Sequence, residues 1–259
     1  EGAAGDLVAD ERGHRRPDPV LRAIIDSVKE AVAAPLAGRD QDRFAAAATL
    51  VGHGSTVTSV AVVGEGRFAV SGSIDETLRV WDLGTMGLVR TIECGDWVFA
   101  VAVTLDGRCA LSGLGDDTLR VWDLATGDEV RSLEGHRRNV KAVQVSPDGR
   151  LAVTGDGAGP IRVWDLASGR LGSTLEGHED GVIALAVTPD GRRLVSGCGD
   201  GGIRVWDLAS SEIILTPAGH GAGNSVFAVA VTPDGRCAVS ASGDGTLREW
   251  DLASGRCLR

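Results

Sequence analysis

Short runs of β-branched residues alternating with polar turn clusters dominate the chain from residue 48 onward. In one stretch, Val143-Gln144-Val145 is followed by Pro147-Asp148-Gly149, then Leu151-Ala152-Val153-Thr154, then Ile161-Arg162-Val163-Trp164, then the turn cluster Asp165 to Gly169. Apolar runs of this length, bounded by Pro-Asp-Gly or Ala-Ser-Gly, predict antiparallel strands joined by hairpins. Asp and Gly suit turns that need a left-handed residue. The phrase returns along the chain and ends each time in Trp-Asp, at Trp81, Trp122, Trp164, Trp206 and Trp250, with spacings of 41, 42, 42 and 44 residues. One four-stranded sheet cannot bury both of its faces alone, so such a unit has to stack against copies of itself. Small residues recur on the innermost predicted strand, as Ala100-Val101-Ala102, Ala142-Val143, Ala184-Leu185-Ala186 and Ala228-Val229-Ala230. They suit strands converging on a central channel, although alternating Val and Ala would suit any buried antiparallel sheet.

Residues 1–47 follow another period. After the charged stretch at 10–16, Asp18-Pro19 offers an N-cap and a first helical residue. Val20, Leu21, Ile24, Ile25, Val28, Val32 and Leu36 then share one stripe at helical spacing. The pattern predicts a helix whose apolar face needs a partner: the repeat array, an upstream domain, or another chain that uses it as an interaction arm.

A period near 42 residues ending in Trp-Asp is similar to that of the WD40 family. The resemblance covers residues 48–259, in copies at 48–88, 89–129, 130–171, 172–213 and 214–259. It implies an all-β fold, a WD40 β-propeller of five four-stranded blades, with the predicted helix ahead of it. Propellers have roughly four to eight blades, so five copies leave three arrangements open: a closed five-bladed ring, an arc of a larger ring, or an arc completed by another chain. Ala46 to Leu50 resembles the outer strand that in this family closes the ring against the last blade. The chain opens on Glu1 rather than Met, which leads us to expect a fragment or a processed product.

The family resemblance also implies a His, Ser/Thr, Asp and Trp network in each blade. Carried over by position, the first copy supplies His53, Ser71, Asp75 and Trp81; the fourth His178, Ser196, Asp200 and Trp206; the fifth His220, Ser240, Asp244 and Trp250. The second keeps Ser112, Asp116 and Trp122 but has lost its Gly-His. The third keeps His136, Thr154 and Trp164, with Ala158 where Asp is expected and Pro160 where other copies have Thr or Gly. Ser, His and Asp recurring together raise the question of a hydrolase, but a catalytic triad occurs once and needs an exposed nucleophile. A set repeated in register with the blade is better read as satisfying buried polar groups. Of the five histidines and six tryptophans, only His14 and Trp97 fall outside it.

With Lys+Arg 26 against Asp+Glu 36, the formal net charge of -10 opposes generic binding to nucleic acid or an anionic membrane. No apolar run reaches the length of a membrane span, and no secretory leader opens the chain. The five cysteines form no CxxC pair, so we expect a reducing cytoplasm, no disulfides and no metal. Cys198, in the turn before Asp200, is expected to be the most exposed thiol. No phosphate-binding GxxxxGK[ST] loop or kinase signature is present, and no cofactor is called for.

The resemblance therefore implies a non-catalytic platform for protein partners, with no small-molecule substrate. Bacterial arrays with copies this alike resemble the scaffold or sensor part of larger signalling proteins. An enzyme with a site at the channel, or an assembly element completed by a second chain, are the alternatives. In the family, contacts concentrate on the face built by loops after the outer strand and between the second and third strands. One equivalent position there varies as Thr58, Phe99, Lys141, Ile183 and Phe227, beside Trp97, Arg137, Arg138, Asn139, Glu179 and Asp180. Aromatic and Arg side chains are the usual anchors of an interface, so Trp97, Phe99, Arg137, Arg138, Lys141, Ile183 and Phe227 form the expected partner surface. Phe99 and Phe227 could instead plug the channel mouth.

Overall fold

The computed structural model describes residues 49–63 and 66–259; the predicted N-terminal helix lies outside the described residues. Antiparallel sheets follow one another along the chain. The first is β1 (Val57–Val63), β2 (Phe68–Ser73), β3 (Thr77–Asp82) and β4 (Gly87–Glu93). The second is β5 (Val98–Val103), β6 (Cys109–Leu114), β7 (Leu119–Asp123) and β8 (Glu129–Leu133). The third is β9 (Val140–Val145), β10 (Leu151–Asp156), β11 (Ile161–Asp165) and β12 (Arg170–Leu175). The fourth is β13 (Val182–Val187), β14 (Arg193–Cys198), β15 (Ile203–Asp207) and β16 (Glu212–Leu215). The fifth holds β17 (Val226–Val231), β18 (Cys237–Ser242) and β19 (Leu247–Asp251). Its outer position is only begun, by a bridge between Trp250 and Cys257 and by the Leu258 amide donating to the Glu249 carbonyl.

Two turns written in the sequence set this topology. Between the first two strands of the second to fifth sheets, the hydroxyls of Thr104, Ser146, Thr188 and Thr232 donate to Asp106, Asp148, Asp190 and Asp234 at 2.5–2.6 Å. Each carboxylate also accepts the amide of the Arg two residues on. The Gly between has φ of 67–71°, a conformation that disfavours a Cβ. The second turn uses the Asp of each Trp-Asp: Asp82 accepts the amides of Gly84 and Thr85, and Asp207 those of Ala209 and Ser210, at 2.8–3.0 Å.

Cores lie between consecutive sheets rather than within one. The inner strands pack in series, β1 on β5, β5 on β9, β9 on β13 and β13 on β17. At each junction a fully buried valine, Val98, Val140, Val182 or Val226, seats against a glycine on the second strand of the preceding sheet, Gly72, Gly113, Gly155 or Gly197. A Cβ on any of the four would meet the junction valine at 2.5 Å. Among the described residues no packing of this extent joins the fifth sheet to the first. Leu247 is 70% exposed, whereas its counterparts Leu78, Leu119, Ile161 and Ile203 are buried. Among the described residues the fifth sheet thus keeps one apolar face uncovered.

Each inner strand begins with a β-bulge. The partners of Ser73 and Gly72 are Val57 and Ser59, leaving Thr58 as the extra residue. In the same way Phe99, Lys141, Ile183 and Phe227 are passed over in the later sheets. A bulge of this kind re-aims one side chain without interrupting the ladder around it.

Candidate functional site

Buried between strands, the Trp indole N–H donates to a Ser or Thr hydroxyl in every blade, at 2.8 Å: Trp81 to Ser71, Trp122 to Ser112, Trp164 to Thr154, Trp206 to Ser196 and Trp250 to Ser240. A His Nε2 shares that hydroxyl in four of them, His53, His136, His178 and His220, at 2.6–2.8 Å. In the first and fifth blades His Nδ1 reaches Asp75 or Asp244 at 2.8 and 2.9 Å, and a Thr hydroxyl from Thr77 or Thr246 fixes the same carboxylate at 2.7 Å. The hydroxyls are out of reach of solvent, so the constellation is structural and not catalytic.

The other blades depart from this scheme. In the second, where His is missing, Arg120 donates to the Cys94 carbonyl at 2.9 Å and pairs with Asp116. In the third, the sequence reading of a missing Asp is corrected: Asp156, two residues before Ala158, meets His136 Nδ1 at 2.9 Å and Arg162 at 2.7 Å. Both acidic and imidazole side chains are fully buried. In the fourth, the reading of a complete set is also corrected. Asp200 makes no hydrogen bond to His178; it accepts the Gly202 amide at 2.7 Å, and Arg204 donates to His178 Nδ1 instead. Gly202 stands where Thr77 and Thr246 hold their Asp, so nothing turns this carboxylate toward the imidazole.

The Arg two residues before each Trp, at 79, 120, 162, 204 and 248, escaped the sequence reading. Its recurrence in all five copies was the available signal. Arg248 donates to the Gly219 carbonyl at 2.9 Å and to Asp244 at 3.3 Å.

Burial pushes His136 below its ordinary pKa of 6.5, against the raising effect of Asp156. Burial would raise Asp156, but hydrogen bonds from His136 and from the Ala158 and Arg137 amides hold it down at about 2. Both folded-state pKa values are depressed, so the unfolded chain binds protons first and acid destabilises the fold. The stability from neutral His136 is complete above pH 6.5 and is lost as pH falls below it; that from Asp156 is lost from 3.8 down through about 2. We expect urea unfolding midpoints to drop from pH 7 to pH 5, and His136→Gln to flatten that drop. An unchanged slope in the variant would show that His136 is not buried neutral.

The thiols are all free. Cys198 is fully buried, which corrects the expectation that it is the exposed one; Cys257 is exposed. Burial pushes the Cys198 thiol up to about 11 and Cys94 up to about 12. Although the sequence showed no ligand motif, His178, Cys198 and Asp200 each place a ligand atom within 4.8 Å of the other two.

At the loop edge, Trp97 is 49% exposed and stands edge-to-face on Phe99, with ring centroids 6.3 Å apart at 74°. Arg138 and Lys141 both border Gly157, where an added Cβ would lie 3.3 Å from Arg138 Cβ and 3.8 Å from Lys141 Cε. Arg137 and Arg138 are exposed. Ile183 is half-buried, and Phe227, lying over Gly243, belongs to the uncovered fifth sheet. Among the described residues no helix is long and apolar enough to cross a membrane.

Stacked four-stranded antiparallel sheets, each carrying a buried indole on a hydroxyl, define a propeller-type repeat protein. The profile of the WD40 family, WD domain, G-beta repeat, matches residues 45–82, 86–123, 127–165, 169–207 and 211–251, and the chain belongs to that family. It is similar to nuclear distribution protein PAC1 of Scheffersomyces stipitis, 45% identical over 49 residues, which are 19% of this chain and 9% of that protein. Cross-pathway control WD-repeat protein 2 of Flammulina velutipes is 36% identical over 91 residues, 35% of this chain and 28% of that one. A ribosome biogenesis protein BOP1 homolog of Drosophila grimshawi is 42% identical over 60 residues, 22% of this chain and 8% of that one. The chain thus covers less than a third of the length of each of these relatives.

Proposed function

We propose that the chain is a non-catalytic docking scaffold whose partner surface is the loop edge formed by Trp97, Phe99, Arg137, Arg138 and Lys141. The bulge carries this reading. It lifts one residue per blade out of the alternation that the core imposes, and that residue changes from blade to blade, from Thr58 to Phe99 to Lys141, while the buried valine before it stays the same from the second blade on. A rigid frame with one freely variable side chain per unit suits recognition rather than packing. The aromatic pair on β5, with two arginines and a lysine at the start of the neighbouring β9, offers an anchor plus positive charge on a chain whose net charge is -10, so an acidic, aromatic-accepting protein segment fits best. The free thiols support a reducing compartment such as the cytoplasm. The likeness of the copies supports a place within a larger regulatory protein, with any effector chemistry on other residues.

The test is proximity labelling in the source cell with the chain and its Trp97→Ala/Arg138→Glu variant. Truncating an interface anchor costs on the order of 2 kcal/mol or more, so labelled partners should fall at least tenfold while the unfolding midpoint stays within error. An unchanged partner set with both residues altered would move the surface elsewhere.

A further inference from the structure

The strongest feature that the scaffold reading does not use is the fourth blade's altered network. In the first, third and fifth blades, His Nδ1 faces a carboxylate. A carboxylate there favours the proton on Nδ1 with Nε2 accepting from the hydroxyl, even in the third blade, where the Arg162 guanidinium also stands 2.9 Å from Nδ1. In the fourth blade Nδ1 faces the Arg204 guanidinium, which can only donate. Nδ1 therefore holds a lone pair, and Nε2–H donates to Ser196 Oγ at 2.6 Å. That oxygen is fixed in turn by the Trp206 indole at 2.8 Å. An imidazole with one nitrogen anchored by donation and a lone pair on the other is the arrangement metal-binding histidines adopt.

Suitable metal donors stand around this imidazole. Cys198 stands where the first and fifth copies have Ser73 and Ser242. Its thiol donates to the Asp180 carbonyl at 3.1 Å, and its sulfur, an Asp200 oxygen and the His178 nitrogen all lie within 4.8 Å of one another. Tetrahedral zinc with bonds of about 2.0–2.3 Å needs ligands roughly 3.5 Å apart, so a side-chain rotation of Cys198 or Asp200 closes the set. Asp200 is held by the Gly202 amide alone on that side, without the Thr hydroxyl that also pins its counterparts. A cation already occupies the approach to this nitrogen, the guanidinium of Arg204.

We propose that His178, Cys198 and Asp200 form a divalent transition-metal site, suited to zinc, with water as fourth ligand and Arg204 as the cation the metal displaces. Binding replaces the S–H bond of Cys198 by a sulfur–metal bond, and the proton leaves to solvent; no electron transfer is involved. One sulfur, one nitrogen and one carboxylate oxygen favour zinc over calcium or magnesium, which prefer oxygen alone.

The probe is Co(II), titrated into the reduced chain and competed with Zn(II). A 1:1 endpoint with a thiolate-to-cobalt charge-transfer band and tetrahedral d–d bands is expected. Cys198→Ser should abolish the charge-transfer band and weaken binding at least tenfold. Ser stands at that position in two other blades, so this variant should keep the fold, as its far-ultraviolet dichroism will show. Arg204→Met should tighten binding at least tenfold. Absence of a saturable band, a band that survives Cys198→Ser and disappears with Cys257→Ser, or an Arg204→Met protein that folds yet binds no more tightly would each overturn the site.

Discussion

Asp156→Ala is expected to lower the stability of the array by about 3–5 kcal/mol, the cost of leaving one half of a buried ion pair unpaired. The carboxylate is wholly buried and holds both His136 at 2.9 Å and Arg162 at 2.7 Å, and Arg162 is itself 6% exposed. Without Asp156 the guanidinium keeps its charge and has no water to turn to. Asp75→Ala in the first blade should cost less, because Asp75 is partly exposed and water can replace it beside His53. The double variant Asp156→Ala/Arg162→Met removes the orphaned charge and should recover part of the loss. Urea unfolding of the four proteins checks the order. If Asp156→Ala costs no more than Asp75→Ala, the third blade's ion pair is not a buried anchor.

That carboxylate also shows where reading by register stops. The blades were legible because their signals are local: the Thr/Ser-x-Asp-Gly-Arg turn closes within five residues, and the Trp-Asp turn within four. The Trp-to-hydroxyl bond was legible too, since strand pairing fixes its spacing at ten residues in every copy. An Asp-to-His bond crosses from one loop to another, and side-chain reach decides it rather than position. Asp156 sits two residues early and still arrives; Asp200 sits in register and does not, for want of a Thr hydroxyl to orient it. The same limit hid the His178, Cys198 and Asp200 cluster, whose members come from separate segments. The inner-strand alanines did suggest tight packing, and Ala100, Ala142 and Ala184 are buried. The notch that seats each junction valine, however, falls on a glycine of the second strand, where the repeat Ser-Gly or Thr-Gly looks like a turn residue and is not one.

Those glycines carry the second large effect. Gly197→Ala and Gly113→Ala are each expected to cost about 1–3 kcal/mol or more by overpacking a junction, yet the two should respond differently to the same remedy. At Gly197 the new methyl meets Val226 Cγ1 at 2.5 Å and Cβ at 2.9 Å, with the carbonyl back at 3.4 Å. Trimming the valine in Gly197→Ala/Val226→Ala should therefore restore part of the loss, giving a coupling of about 0.5–3 kcal/mol. At Gly113 the first atom met is the Val140 carbonyl oxygen, at 2.5 Å. Val140 Cγ1 follows at 2.8 Å, but no side-chain change moves that oxygen, so Gly113→Ala/Val140→Ala should show a smaller rescue. Equal rescue at both sites would mean the sheets slide freely past one another and the glycine notch does not set their spacing. The fifth sheet carries Ala241 where the other four have this glycine. A sheet packing there by the same geometry has to bring something smaller than valine, and β1, with Val57 at the matching place, does not. The array's own sequence thus works against head-to-tail stacking of copies, and Ala241→Gly should raise self-association in sedimentation at high concentration by opening a notch that Val57 of another molecule can fill.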